Sequence, residues 1–386
     1  MRRFTLASAA ALILVSMFLA APALAAPAIA RPVLTAGRLA ASGVAAECGR
    51  PILANATAYL ASDLLCSLAM ADGATLDLNH HSLIGSGASS GDAITYLPTP
   101  GLTSNSNLTV KNGTITHWSR VFGVMDGPGV TLRGMFITRN TTAFSGFHSF
   151  VDADRSVFAN NGTVMTGGII SAVFANSTFQ NNPIGISNYF GGIISVSDSV
   201  FINSDTAIDC TLAQVTVTGT SFLRNRDAMT LNGCAGATVT DNIFSNNRVG
   251  IATSLFSLCT QCSNSGAQQA VSDQFLDNHF HGNETGILAS HSAILRSNTF
   301  TRNTTAVKSP APTDGSVVPM IALTSNIFTR NGDAVFVLNP ARMKANVAIR
   351  NSGYGIYAPA AVDLGGNVAY QNGKSPQCTG VVCSGR

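Results

Sequence analysis

The chain has 386 residues, of which 11% are charged and 46% apolar, with 36 glycines and a formal charge of +3. Asn outnumbers Asp and Glu together. Charge this sparse, with so many apolar residues and no strict Gly-X-Y period, excludes a disordered chain and a collagen; a balance this near zero excludes a broad basic nucleic-acid surface.

At the N-terminus Arg2 and Arg3 precede an apolar run over 6–19, and Ala23-Leu24-Ala25 then fits the small-x-small cleavage pattern. This predicts a secretory signal peptide over 1–25 and a near-neutral product released outside the cell, or into the periplasm where the host has an outer membrane. The apolar run is short for a membrane span and no later stretch reaches that length, so no span is expected after cleavage. A linker over 26–47 and an N-terminal cap over 48–75 follow. Eight cysteines agree with an oxidising compartment. Their order suggests neighbouring pairs, Cys48 with Cys66, Cys210 with Cys234, Cys259 with Cys262 and Cys378 with Cys383. Cys259-Thr-Gln-Cys262 also has the spacing of a redox CxxC or half a zinc site, but no βαβ pattern surrounds it and no second CxxC exists.

From residue 76 to 373 one repeat governs the chain. Phe158, Phe179, Phe222, Phe244, Phe280, Phe300 and Phe328 each stand three residues before an Asn, and Phe201 keeps the frame with Ser204 in place of Asn. Leu83, Ile115, Ile137, Ala348 and Ala369 extend the series at both ends, giving about thirteen coils. Anchors from Ile115 to Phe244 fall 22, 21, 21, 22, 21 and 22 residues apart; two later gaps of 36 and 28 hold loop insertions, over 253–271 and 308–318. Five residues before the anchor stand Leu132, Phe174, Val196, Val217, Val239, Phe275, Leu295 and Leu323. Seven after it stand Met165, Ile186, Ile208, Met229, Ile251, Ile287, Val307 and Val335. Each coil therefore offers three short strands with apolar residues inward, and no segment has a helical period. Asn recurs three residues after the anchor and again two before it, at Asn242, Asn278, Asn298, Asn326, Asn346 and Asn367, where earlier coils carry Ser156, Ser177, Ser199 and Thr220. Asn tolerates left-handed backbone, and its amide can bond the same residue one coil away, about 4.8 Å off. The fold expected from the spacing is an all-β solenoid; the resemblance of its coils to the pectate-lyase-like superfamily implies a single-stranded right-handed parallel β-helix, with a disulfide-closed C-terminal cap over 374–386.

These Asn-x-Phe-x-x-Asn coils resemble the right-handed parallel β-helix repeat proteins of the pectate-lyase-like superfamily. The segment from Cys48-Gly-Arg-Pro-Ile through Cys66, with Leu76-Asp-Leu-Asn79, resembles the opening of secreted bacterial members, and Gln377-Cys378-Thr-Gly-Val-Val-Cys383 resembles their close. The resemblance implies an outer groove acting on polysaccharide, since such enzymes are often lyases or hydrolases. The catalytic signatures are missing: no Asn-Thr-Asp, Asp-Asp or Gly-His-Gly trio, no Arg-x-Pro-x-x-Arg, no Asp-Pro-His-Asp. The expected function is therefore a non-catalytic extracellular or cell-surface glycan-binding or interaction protein, monomeric, without a cofactor and without nucleic acid as partner.

The alternative is a polysaccharide lyase acting on a uronate-containing polymer through Arg133, Asp152 and Asp154. Asp152 and Asp154 alternate on one strand, and Arg133 lies 21 residues before Asp154, beside it on the previous coil. Two carboxylates can hold Ca²⁺, and the cation or Arg133 can neutralise a uronate while a base takes the neighbouring proton. The blander reading is an exposed Arg133–Asp154 ion pair. Tyr189 and Phe190, placed in a turn, are candidates for stacking on sugar or for covering the core edge. The seven His residues form no metal-ligand spacing and most read as turn or surface residues; His279 and His281, which straddle an anchor, are expected to point outward. Asp205, Arg226, Arg248 and Glu284 share one surface column, and Arg139, Arg224, Arg302, Arg330 and Arg350 another, a stripe that suits either an anionic polymer or a solvated edge.

Overall fold

The protein is described from a computed structural model over residues 43–98, 107–125, 129–234, 236–254, 272–311 and 319–385. The expected signal peptide and the Cys259–Cys262 pair lie outside these residues, as does most of each loop insertion. Among the described residues every regular element is a strand, and every pairing between strands is parallel, coil upon coil. The architecture is a parallel β-solenoid of about 13 turns. No helix of the described residues is long and apolar enough to cross a membrane.

One coil shows the construction. Phe150–Asp154 forms the first face and Val157–Ala159 the second; the third begins at Thr163. Its rungs place Phe158 beside Ile137 on one side and Phe179 on the other. The series runs unbroken from Leu83 to Ala369 through the anchors read from the sequence. From Phe179 to Phe328 the anchor rings stack with centroids 4.2 to 5.1 Å apart. All are fully buried. Burying each ring stabilises by about 1.5–3 kcal/mol, and stacking adds about 0.5–1.5 kcal/mol. The columns five before and seven after the anchor are buried in full as well.

The two polar columns are buried hydrogen-bond ladders. Asn140 donates its backbone N–H and its Nδ2 to Asn161 Oδ1, both at 3.0 Å, and Nδ2 also to the Ile115 carbonyl at 3.2 Å. The pattern repeats from Asn225 through Asn372, where Gln377 Oε1 accepts both donors at 2.9 and 2.8 Å and closes the row. Asn can do this because one amide carries both donor and acceptor. In the second column the Ser and Thr hydroxyls do the same work. Each accepts a backbone N–H from the coil before, as Ser177 does from Ser156, and donates to the carbonyl two residues back, as Ser177 does to Ala175.

The left-handed residues are not the ladder Asn themselves, contrary to expectation. They are the residues just before them: Asn160, Asn181 and Asn246 ahead of one ladder, Arg155, Asn176 and Asp198 ahead of the other. A left-handed residue turns the chain sharply, so the next side chain is thrown inward, and a polar group there must be paired. Strand length also departs from expectation. Thr163–Ala175 and Ile184–Ser197 each fuse the third face of one coil to the first face of the next, with a register shift between Gly168 and Ile170 in place of a turn.

Disulfides join Cys48–Cys66, Cys210–Cys234 and Cys378–Cys383, with Cα separations of 5.9, 6.5 and 6.2 Å. Each is an expected pair.

The anchor ladder has one fault. Ser204 replaces Asn between Asn182 and Asn225; its buried hydroxyl has no partner, and Asn182 Nδ2 is left with the Phe158 carbonyl alone. An unpaired buried hydroxyl costs about 1–3 kcal/mol. Ser204→Asn should restore the row and raise the urea midpoint of unfolding by about 1 kcal/mol of stability or more, with an unchanged slope.

Candidate functional site

The first face carries the expected acidic group. Asp154 lies beside Arg133 in register, as anticipated, yet the guanidinium does not take it. Arg133 is long enough to reach diagonally, and it donates to the Asp152 carboxylate, to the Asp152 carbonyl at 3.3 Å and to the Leu132 carbonyl at 2.8 Å. Asp154 instead accepts from Arg155 Nε and Asn176 Nδ2, both at 2.9 Å. The hydrogen bond to Asp152 holds Arg133 above its ordinary range. Burial pushes the Asp154 carboxyl up, but the hydrogen bonds from Asn176 and Arg155 outweigh it and hold the group below its usual range. A carboxyl held so low is a weak proton acceptor. The guanidinium also engages the Asp152 carboxylate, one of the two that a Ca²⁺ there would need. No cluster of three or more His, Cys, Asp or Glu side chains suited to a metal occurs among the described residues.

The exposed aromatic group lies where the long strands turn from the third face to the first. Tyr189 and Phe190 sit inside the strand Ile184–Ser197, not in a turn, and are 37% and 56% exposed. Their rings meet edge to face at 5.4 Å. Register places Phe147, Gly168 and Tyr189 on successive rungs. The Phe147 ring lies against the Gly168 Cα so closely that any side chain at Gly168 would strike it. Ile193 and Val173 continue the patch on the first face, at 48% and 36% exposure.

This corner is built under strain and fastened from below. Ile169 and Phe190 have φ of +55° and +66°, a rare conformation for a β-branched and an aromatic residue. Gly191 and Gly192, at +109° and +88°, supply the rest of the bend. Asn188 is buried beneath it and donates to the Ile170 and Gly191 carbonyls at 2.9 and 3.0 Å. Such strain persists only when surrounding contacts over-determine it, and it concentrates at ligand sites.

Beside the aromatic column runs a polar one: Ser145, Thr166, Ser187, Asp209 and Thr230 on successive rungs. Asp209 is half-buried, and among the described residues no cation pairs with it. Its contacts are long ones, Ser187 Oγ at 3.5 Å and Asn232 Nδ2 at 3.4 Å. Burial pushes its carboxyl up, and the Ser187 hydrogen bond only partly offsets that. Aromatic faces beside open hydroxyl, amide and carboxyl groups are the chemistry that holds a sugar ring: apolar C–H face on the aromatics, hydroxyls on the polar row.

Sequence reasoning named Tyr189 and Phe190 but missed Phe147, Asn188, Ile193 and Asp209. The signal available was that Phe147, Gly168 and Tyr189 are 21 residues apart, one coil each. His279 and His281 are half-buried, with rings 6.2 Å apart; burial pushes both imidazoles down, helped by His281 at His279 and by Arg302 at His281. His291 is not a surface residue: it is buried, with Nδ1 3.5 Å from Asp273. In the charged column, Arg226 and Arg248 share Asp227, which stands outside the column.

Neither a protein-family model nor a curated protein matches the chain. Among solved structures, the catalytic unit of a thermostable GH87 alpha-1,3-glucanase from Streptomyces thermodiastaticus strain HF3-3 aligns with 83% of this chain at 10% identity and a TM-score of 0.33. The chain spans 65% of that structure's length. So loose a likeness says nothing of activity, and the fold assignment rests on the ladders themselves.

Asp209 makes the site sensitive to pH. Its folded pKa lies above the unfolded value of about 3.9, so the folded state holds the proton more tightly and loses stability as pH rises through that window. Asp209→Asn should therefore raise the melting temperature at neutral pH, with the gain vanishing below about pH 4. A gain equal at both pH values would show that its origin is not the carboxylate's burial.

Proposed function

We propose that this is a secreted, non-catalytic glycan-binding protein of the cell exterior, built on the pectate-lyase-like β-helix and using the aromatic corner as its sugar-binding surface. The observation that carries the reading is the corner itself: exposed Tyr189 and Phe190, with Phe147 on the same face, held in a strained bend by buried Asn188 beside the half-buried Asp209. Exposing such rings costs solvation, and pre-ordering them removes part of the entropy cost of binding. The acidic group on the first face supports a binding role over a lyase. Arg133 is tied to Asp152, and Asp154 to Arg155 and Asn176, so both carboxylates are already engaged. The signal-like N-terminus and the three disulfides support an extracellular location.

The test is a polysaccharide panel on the purified mature protein, with and without Ca²⁺, scoring bound glycan together with ultraviolet absorbance from unsaturated uronates. Binding without product, insensitive to Ca²⁺, is expected. Tyr189→Ala with Phe190→Ala should weaken it by about tenfold or more without altering circular dichroism. Absorbance that grows with time and disappears in an Asp152→Ala, Asp154→Ala variant would replace this reading with a lyase.

A further inference from the structure

Two residues after each anchor the backbone is left-handed in every coil from Arg139 to Gln371. Asn and Gly take that conformation most readily, and five of the eleven coils use them: Asn160, Asn181, Asn203, Asn246 and Gly282; Arg139 and Arg224 stand on it singly. The amides also bond from rung to rung, Asn181 to Asn160 at 3.2 Å and Asn203 to Asn181 at 3.0 Å. Three successive rungs depart from this. Arg302, Arg330 and Arg350 put a long cationic side chain on the same left-handed bend, with φ of +56°, +59° and +56°. The residues just before them, Thr301, Thr329 and Ile349, are in register, so the arginines rise one rung apart, about 4.8 Å. Arg350 has a neutral partner, Gln371 Oε1 at 3.0 Å. Among the described residues no carboxylate lies within ion-pair distance of any of the three. Like charges on adjoining rungs repel, so the row opposes both the local backbone preference and its own electrostatics. Such a conflict marks a place kept for something other than stability.

A second observation concerns the floor beside the row. Four residues after the anchor, the four preceding coils carry Asp205, Arg226, Arg248 and Glu284, whereas the arginine coils carry Thr304, Gly332 and Ser352. The small side chains leave an open trough of about 440 Å³, walled by the three arginines. We propose that this trough binds an acidic polysaccharide lying along the solenoid axis, its carboxylate or sulfate groups engaged by Arg302, Arg330 and Arg350. A guanidinium presents a planar fork of donors that matches either oxyanion. A glycan fits better than a nucleic acid, because no aromatic ring lines the trough to stack a base and the chain lacks an extended basic field. The trough lies several coils from the aromatic corner and does not depend on the reading given to that corner.

The experiment titrates the mature protein with dextran sulfate and polygalacturonate, with uncharged dextran and single-stranded oligo-dT as controls, at low and raised salt. Both acidic polymers should bind, with affinity falling steeply as salt rises, and should raise the melting temperature. Arg302→Gln, Arg330→Gln and Arg350→Gln together should weaken this by about tenfold or more. The ligand-free variant should melt no lower than the parent, since the repulsion is gone. Arg330→Gln alone should lose an intermediate amount, and so keeps the test decisive if the triple variant fails to fold. Tyr189→Ala with Phe190→Ala should leave acidic-polymer binding unchanged, so the two sites fail separately. No binding of either acidic polymer at low salt, unchanged binding by the arginine variants, or oligo-dT binding as tightly as polygalacturonate would each overturn the proposal.

Discussion

Everything in this molecule follows from the parallel register of its rungs. Each residue lies about 4.8 Å above its counterpart one coil earlier, so a side chain's nearest neighbour is usually its own equivalent. Inside the coil that rule selects side chains able to satisfy themselves. Phe stacks on Phe, and Asn, donor and acceptor at once, bonds Asn from Asn225 to Asn372. Ser and Thr serve the second column in the earlier coils because a hydroxyl can likewise accept from one rung and donate to another. A charge cannot stack on itself without cost, which accounts for a composition only 11% charged.

The same rule makes departures from the repeat informative. Where the register shifts at Gly168 and Ile170 the outer surface gains an exposed aromatic corner, and where Arg replaces Asn on three successive bends it gains a cationic trough. Neither contributes to the core. Asn188 illustrates the link between levels: it is buried like a ladder Asn, but its donors go to the Ile170 and Gly191 carbonyls and so fix the bend that displays Tyr189 and Phe190.

Most of the fold was legible from spacing alone, because a solenoid writes its register directly into the sequence period. The anchors, both apolar columns and both polar columns lie where the period puts them, and the three disulfides join cysteines that are neighbours in chain order. The left-handed positions were misplaced by one residue, since Asn is common both on the bend and in the ladder just after it. The site was less legible. Arg133 is long and flexible, so register with Asp154 did not decide that it would reach Asp152. The bend at Ile169 and Phe190 uses residue types that ordinarily avoid left-handed backbone, and no turn rule would have flagged it. His291 and Asp273 are 18 positions apart and meet only across adjoining rungs, so neither alone announced a buried pair.

The most direct measurement is hydrogen exchange at the side-chain amides of the ladder asparagines, followed by nuclear magnetic resonance. Two rows of Nδ2 protons should exchange slowly, from Asn225 through Asn372 and from Asn242 through Asn367, and Asn182 should exchange faster because Ser204 offers it no acceptor. Uniformly fast exchange along both rows would contradict the buried ladders and the register that every other assignment depends on.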